Sequence, residues 1–323
     1  MYRRHFLKAF AAAACASASA QALAQDYPSR PITILVPYNP GGITDQLARE
    51  VGAKLSELLK QTVIVDNRAG GGGQIAVNAL KAAPADGHTL FIGDFGPLAL
   101  NSSLFAKLSY DVSRDMRAVT RLINAPSLLV VPPNAATRSV DELFKAARSG
   151  SAMTYASPGV GSGGHLFGAM LSRQLGVNLI HVPYRGSGPG LIDVSSGQVA
   201  FMFDAIVSSG PLARGDRVRA LAIGADRRSP LFPQVPTLKE LGYESLAAVS
   251  WFGAMVKAGT PDAVVDRLNA ALRAAMTDPA VSRKFSDQGV EVITSTPQEF
   301  STFIKAETER WAKVIHDAGI TVE

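Results

Sequence analysis

Twice in this chain, an apolar run of strand length stops at a glycine-rich turn and passes straight into a helical pattern. Residues 32–38 (ITILVPY) end at Pro40-Gly41-Gly42, and Leu47, Val51, Leu55 and Leu58 then recur at helical spacing. Residues 153–156 end at Ser157-Pro158-Gly159-Val160-Gly161-Ser162-Gly163-Gly164-His165, and a second helical pattern runs on to Leu175. Alternation of this kind commits a chain to an α/β fold, a parallel sheet flanked by helices.

The same grammar fills most of the sequence. Strands are expected at 62–65, 88–93, 127–131, 179–182, 201–203, 219–225 and 250–256, and helices at 44–59, 74–83, 140–148 and 165–175. Three helical patterns close the chain at 262–277, 279–288 and 297–318. With too few strands to form a lobe of their own, they must pack on an existing sheet, the first being the natural one. The expectation is a discontinuous first lobe, 25–124 plus 250–323, around an inserted second lobe, 125–249. The two chain crossings would act as a hinge, with a ligand cleft between the lobes.

The 323 residues suffice for two such cores, and a content of 47% hydrophobic and 18% charged residues argues against disorder. After the first 25 positions no apolar run reaches the ~18 residues of a membrane span. Residues 1–24 read as an export signal. Arg3, Arg4 and Lys8 form a positive start, an alanine-rich apolar stretch begins at Phe10, and Ala22-Leu23-Ala24 supplies small residues before a cut at Gln25. Arg3-Arg4 suits the twin-arginine route as well as the general secretory one, and both end outside the cytoplasm. The single cysteine, Cys15, lies inside this signal, with Ala12 where a lipoprotein would carry a large aliphatic residue. The mature chain therefore has no disulfide, thiolate nucleophile or cysteine metal site. Its net charge falls from +5 to about +2 once the signal's Arg3, Arg4 and Lys8 are gone, which leaves no nucleic-acid surface.

Glycine turns let a ligand approach backbone N–H groups, and a helix N-terminus offers free N–H groups at the positive end of its dipole. One such element is an ordinary strand-to-helix turn, capped by Thr44 or Asp45 in the first case and by Ser162 in the second. One per lobe is what a carboxylate clamp requires. The candidate ligand-binding residues are Tyr38, Gly41, Gly42, Thr44 and Asp45 in the first lobe, and Ser157, Gly159, Gly161, Ser162 and His165 in the second. Arg185, beyond the 179–182 strand, reads as a bidentate carboxylate partner or as a surface charge. Asp204 closes the 201–203 strand, at the end where open sheets place ligands. It reads as an acceptor for an amine or hydroxyl, or as the cap of the next turn. Asp94 closes 88–93 in the same way.

Catalytic patterns fare worse. Gly159 to Gly164 fits G-x-G-x-x-G, but the next strand leads to Arg185 rather than the acidic residue a dinucleotide site needs. No G-x-S-x-G elbow exists, because Val160 precedes Ser162 and Arg185 precedes Ser187 by two places. Residues 70–73 are not followed by the Lys-Ser or Lys-Thr of a phosphate loop. The mature histidines, His88, His165, His181 and His316, have no metal-ligand spacing on one helix. No cofactor and no metal is expected, and a receptor is favoured over an enzyme. A periplasmic enzyme with His165 as general base, and a sensory receptor signalling to a membrane kinase, are the alternatives.

The chain resembles the Bug proteins, the TctC-like receptors of tripartite tricarboxylate transporters. The likeness begins at Tyr27-Pro28-Ser29-Arg30-Pro31-Ile32, Val36-Pro37, Pro40-Gly41-Gly42 and Thr44-Asp45. It continues through Asn67-Arg68-Ala69-Gly70, Ala85-Asp86-Gly87-His88-Thr89-Leu90 and Tyr155-Ala156-Ser157-Pro158-Gly159. It extends over His181-Val182-Pro183-Tyr184-Arg185-Gly186, Ser196-Gly197-Gln198-Val199, Leu241-Gly242-Tyr243, Trp251 and Gly259-Thr260-Pro261. The resemblance implies a type 2 periplasmic binding-protein fold, a monomer holding a small carboxylate (a di- or tricarboxylate, an acidic amino acid or an aromatic carboxylate) for a membrane permease of the tripartite type. It implies that the loops at 41–45 and 157–165 hold one carboxylate through backbone N–H groups and water, and that Asp204 faces the variable end of the ligand. Two stretches depart from the family pattern, Tyr38-Asn39 and Gly93-Asp94-Phe95. An Asp94 facing the cleft would repel a second carboxylate, which counts against a plain dicarboxylate and leaves an amino-bearing or aromatic ligand open.

Overall fold

The computed structural model describes residues 27–150, 152–246, 249–317 and 320. The expected export signal and Cys15 lie outside the described residues.

Two mixed sheets organise the chain. The first has the order β11-β4-β10-β3-β1-β2. It is built from β1 (Ile32–Val36), β2 (Val63–Asn67), β3 (Thr89–Asp94), β4 (Met116–Ala125), β10 (Ser250–Lys257) and β11 (Glu291–Val292). The second, ordered β7-β6-β8-β5-β9, is built from β5 (Ser127–Val131), β6 (Met153–Ser157), β7 (Leu179–Pro183), β8 (Phe201–Ala205) and β9 (Arg219–Gly224). The strand–helix–strand repeats pair in parallel, β1 with β2 and β3, and β6 with β7 and β8. The strands nearest the crossings are antiparallel, β10 between β3 and β4, and β5 between β8 and β9. Ala125 pairs with Ser250 and Ser127 with Gly224, so the two passages between the sheets begin and end beside each other.

The longer helices are α1 (Ile43–Leu59), α2 (Gln74–Ala82), α3 (Val140–Arg148), α4 (Gly163–Leu175), α5 (Ser187–Ser196), α6 (Ile206–Arg214), α7 (Asp262–Thr277), α8 (Pro279–Ser286) and α9 (Pro297–Asp317). Helix α1 buries Leu47, Ala48, Val51, Gly52 and Leu55 on one face. At Gly52 a Cβ would stand 3.3 Å from Val63 and 3.6 Å from Ile34, so glycine lets the helix lie close on the sheet. The last three helices pack on the first sheet, as expected. Asn269 of α7 donates to the Val119 carbonyl in β4 (2.8 Å). Trp251 of β10 and Trp311 of α9 both donate through Nε1 to Glu307 Oε2, at 2.9 and 3.1 Å. Arg310 neutralises the same carboxylate at 3.0 Å, as a buried charge requires.

Among the longer elements, three went unforeseen. Strand β4 carries Arg117 and Arg121, which break its apolar run. Both are absorbed by tertiary partners, Arg117 by Asp262 and the Thr260 carbonyl, and Arg121 by the face of Phe303, 3.9 Å from the ring centre. Helices α5 and α6 were hidden by Ser187-Gly188-Pro189-Gly190 and by Pro211, residues that read as loop. Pro189 falls in a first helical turn, where its missing N–H has no intrahelical partner to lose.

Candidate functional site

Four helices begin where the strand ends of the two sheets meet. Gly42 precedes α1, Ser162 precedes α4, Gly186 precedes α5 and Ala205 precedes α6. The crevice between them is lined from the first sheet's side by Tyr38, Gly42, Ile43, Thr44, Asp94, Ser250 and Phe252. From the other side it is lined by Ser127, Pro158, Ser162, Gly163, Gly164, Gly186, Ser187, Phe203, Asp204 and Ala205. It is narrow, with an interior of about 40 Å³.

No lysine, arginine or histidine is among these lining residues. Positive potential comes instead from the helix starts. Gly42 and Gly186 give α1 and α5 no side-chain cap, and Ser162 Oγ accepts only the His165 N–H, at 3.4 Å. First-turn N–H groups lack intrahelical partners and carry the positive end of the dipole, so several such starts suit a carboxylate.

Two carboxylates oppose this. Asp204, 2% exposed, accepts the Ser187 hydroxyl on Oδ1 at 2.6 Å, while its Oδ2 is buried with no hydrogen-bond partner. Burial pushes its pKa up to about 7, against the pull of the Ser187 and nearby Ser208 hydroxyls. Asp94, also buried, accepts the Tyr38 hydroxyl on Oδ1 at 2.9 Å, and burial raises it to about 6.

A prediction follows from Asp204. Between its ordinary 3.8 and about 7 the folded state binds more protons than the unfolded chain, so stability falls as pH rises through that window. The slope is at most about 1.4 kcal/mol per pH unit. His165 and His181 act in the opposite sense, losing stability as pH drops below about 6.5, so the informative quantity is a difference between proteins. Asp204→Asn is expected to raise the melting temperature of the ligand-free protein by several degrees at pH 8 and by little at pH 4.5. A difference that stays constant with pH would show that the Asp204 carboxylate costs the fold nothing.

Of the residues expected from sequence, Tyr38, Gly42, Thr44, Ser162 and Asp204 line the crevice together, and Asp94 joins them. Gly41, Asp45, Ser157, Gly159, Gly161, His165 and Arg185 do not line it. Asp45 turns back on its own loop, accepting the Gly41 N–H at 3.0 Å and Arg49 Nε at 3.1 Å. Those bonds overcome the upward push of burial and lower its pKa. Ser157 is fully buried, 2.7 Å from His181 Nε2, and its hydroxyl brackets the Gly159 backbone. His165 stacks on His181 with ring centres 4.2 Å apart, and His181 stacks on Tyr155 at 4.9 Å. Burial lowers His165 to about 4, and burial with the neighbouring ring lowers His181 to about 3, so both stay neutral near pH 7. His165 Nδ1 accepts the Gly161 N–H at 3.3 Å, and the column braces the loop from behind. Gly159 and Gly161 supply the turn, at φ +151° and +78°.

Arg185 needs a correction. Its side chain is exposed, and what faces the first lobe is its carbonyl, which accepts the Asn39 N–H at 2.9 Å. The turn from β7 into α5 begins right after Pro183, so the backbone meets the opposite lobe while the guanidinium stays outside. Sequence reasoning missed Ser187, which the unrecognised third strand-to-helix turn, Arg185-Gly186-Ser187, would have signalled. It also missed Ser127, Ser250, Phe203 and Phe252, which strand pairing brings to the crevice without any local motif.

The chain has relatives of known family. Residues 47–320 match the tripartite tricarboxylate transporter family receptor, TctC. A protein from the tcbD-tcbE intergenic region of Pseudomonas sp. (strain P51) is 38% identical over 315 residues, 97% of this chain and 94% of that one. Protein BugT of Bordetella pertussis is 36% identical over 309 residues, 95% and 94% of the two chains. Among solved structures, the periplasmic binding protein BugD has a TM-score of 0.88 at 29% identity, covering 92% of this chain and all of its own. A protein of R. palustris with adipate has a TM-score of 0.88 at 34% identity and the same coverage. MatC of Rhodopseudomonas palustris with bound malate has a TM-score of 0.86 at 32% identity, covering 90% of this chain and all of its own. The two-lobed periplasmic-binding-protein fold expected from the sequence is the fold of this chain.

Proposed function

The chain belongs to the family of tripartite tricarboxylate transporter receptors, and from that premise we propose that it captures a small carboxylate outside the cytoplasm and presents it to a membrane permease of the tripartite type. One observation carries the proposal. Two glycine-rich helix starts, Gly42–Thr44 and Ser162–Gly164, come from opposite sides of the molecule and open into one crevice. Adipate in one neighbour and malate in another support a carboxylate as the ligand. We place the lobes at 25–124 plus 250–323 and at 125–249, bounds supported by which strands each sheet collects. One chain supplies both walls of the crevice, in keeping with a monomer.

Thermal unfolding against a panel of small mono-, di- and tricarboxylates and amino acids is the direct test. A ligand present at about 100 times its dissociation constant stabilises the fold by about 2.7 kcal/mol, expected here as a rise of several degrees. Folded protein that shifts with no member of a broad panel is the result that rejects carboxylate capture.

A further inference from the structure

We propose that Asp94 and Asp204, one from each lobe, form a paired acceptor for a cationic group, so that this receptor takes an aminocarboxylate in preference to a dicarboxylate. The inference rests on carboxylate capture by the helix starts and adds what the other end of the ligand must be.

The crevice has a polarity written in its lining. The helix starts supply partial positive charge, and among the described residues that line it Asp94 and Asp204 are the only carboxylates, with no lysine, arginine or histidine. The groups that hold each carboxylate are all neutral: the Tyr38 hydroxyl and the Asp94 and Gly96 backbone at Asp94, and the Ser187 hydroxyl, the nearby Ser208 hydroxyl and the Ala205 backbone at Asp204. Among the described residues, no cation pairs with either. Asp204 Oδ2 is fully buried and unpartnered, and an unpaired buried carboxylate oxygen carries a large desolvation cost unless something bonds it. An ammonium supplies both the missing donor and the missing charge. A second ligand carboxylate would supply neither, and like charges brought together in a closed site repel. Burial raises both aspartates, to about 6 and 7, as expected of carboxylates awaiting a counter-charge.

The test uses ligand pairs that differ only in having an ammonium in place of one carboxylate: β-alanine with succinate, 4-aminobutyrate with glutarate, and 4-(aminomethyl)benzoate with 4-(carboxymethyl)benzoate. Calorimetry on the full mature protein at pH 7.5 gives the ratio of dissociation constants within each pair. The ratio is expected to favour the amino member by about 100-fold in at least one pair. Asp94→Asn and Asp204→Asn are each expected to cut that ratio about tenfold. Melting curves establish that each variant is folded, so an unchanged ratio in a folded variant counts against the pair. Tight binding of the dianions, with ratios near one or reversed, overturns the paired acceptor while leaving carboxylate capture intact. In that case the raised aspartates act as protonated donors. Folded protein that binds neither member of any pair, nor any carboxylate of the wider panel, removes the capture reading as well.

Discussion

Gly42→Asp is expected to abolish carboxylate binding in a protein that still folds. Gly42 sits at φ −82° and ψ 173°, extended backbone open to any residue, and a Cβ there would have nothing nearer than Ser187 Oγ at 3.9 Å. The new side chain has room, and aspartate is a preferred helix N-cap, so the ligand-free protein should melt at the same temperature or somewhat higher. Its carboxylate would take the first-turn N–H groups of α1 and place a negative charge where the ligand's own belongs. Like-charge repulsion together with lost donors is worth several kcal/mol, an expected affinity loss of about 1,000-fold or more. Calorimetry with any ligand found by thermal shift, beside a melting curve of the variant, settles it. Affinity within about tenfold of the parent would show that α1 does not anchor the anion.

Gly96→Ala should separate folding from closure. The backbone at Gly96 is not in the left-handed region, so alanine imposes no conformational strain. Its Cβ would stand 2.5 Å from the Gly161 carbonyl oxygen, a backbone atom of the opposite lobe, and 3.2 Å from Asp94 Oδ1. Within the first lobe only the Asp94 carboxylate must shift, by a few tenths of an ångström, whereas the Gly161 backbone of the opposite lobe blocks the closed pair. The variant should melt near the parent's temperature without ligand, bind about 100-fold more weakly, and keep an extended scattering profile when ligand is added. Full affinity with normal compaction would mean that the Gly96–Gly161 approach is not needed for closure.

The fold was legible where periodicity and punctuation agree. The strand at 32–36, the turn at Gly41-Gly42 and helix α1 were readable because apolar spacing changes from one regular element to the next across two glycines. The packing of α7 to α9 on the first sheet followed from the lack of strands to pair with them. What stayed hidden depended on partners distant in sequence. Strand β4 looks too charged until Asp262 and Phe303 arrive from the far end of the chain, and α5 looks like a loop because Gly188, Pro189 and Gly190 are poor helix formers that tertiary packing overrides. At the site, the helix starts were visible as motifs, and Asp204 and Asp94 as strand-ending acids. Ser157 and His165 were the right loop with the wrong aspect. A strand end and a glycine turn do not say which side chains face the ligand and which prop the loop from the rear. Arg185 illustrates the same ambiguity, since the residue is near the crevice mouth but offers its carbonyl there.

The paired passages at 125–127 and 224–250 limit how the molecule can move. The residues that bound the two crossings pair, Ala125 with Ser250 and Ser127 with Gly224, so a bend at one would carry the other and the halves would open like the covers of a book, with the Asn39–Arg185 contact as its clasp. One angle would then distinguish a loaded receptor from an unloaded one.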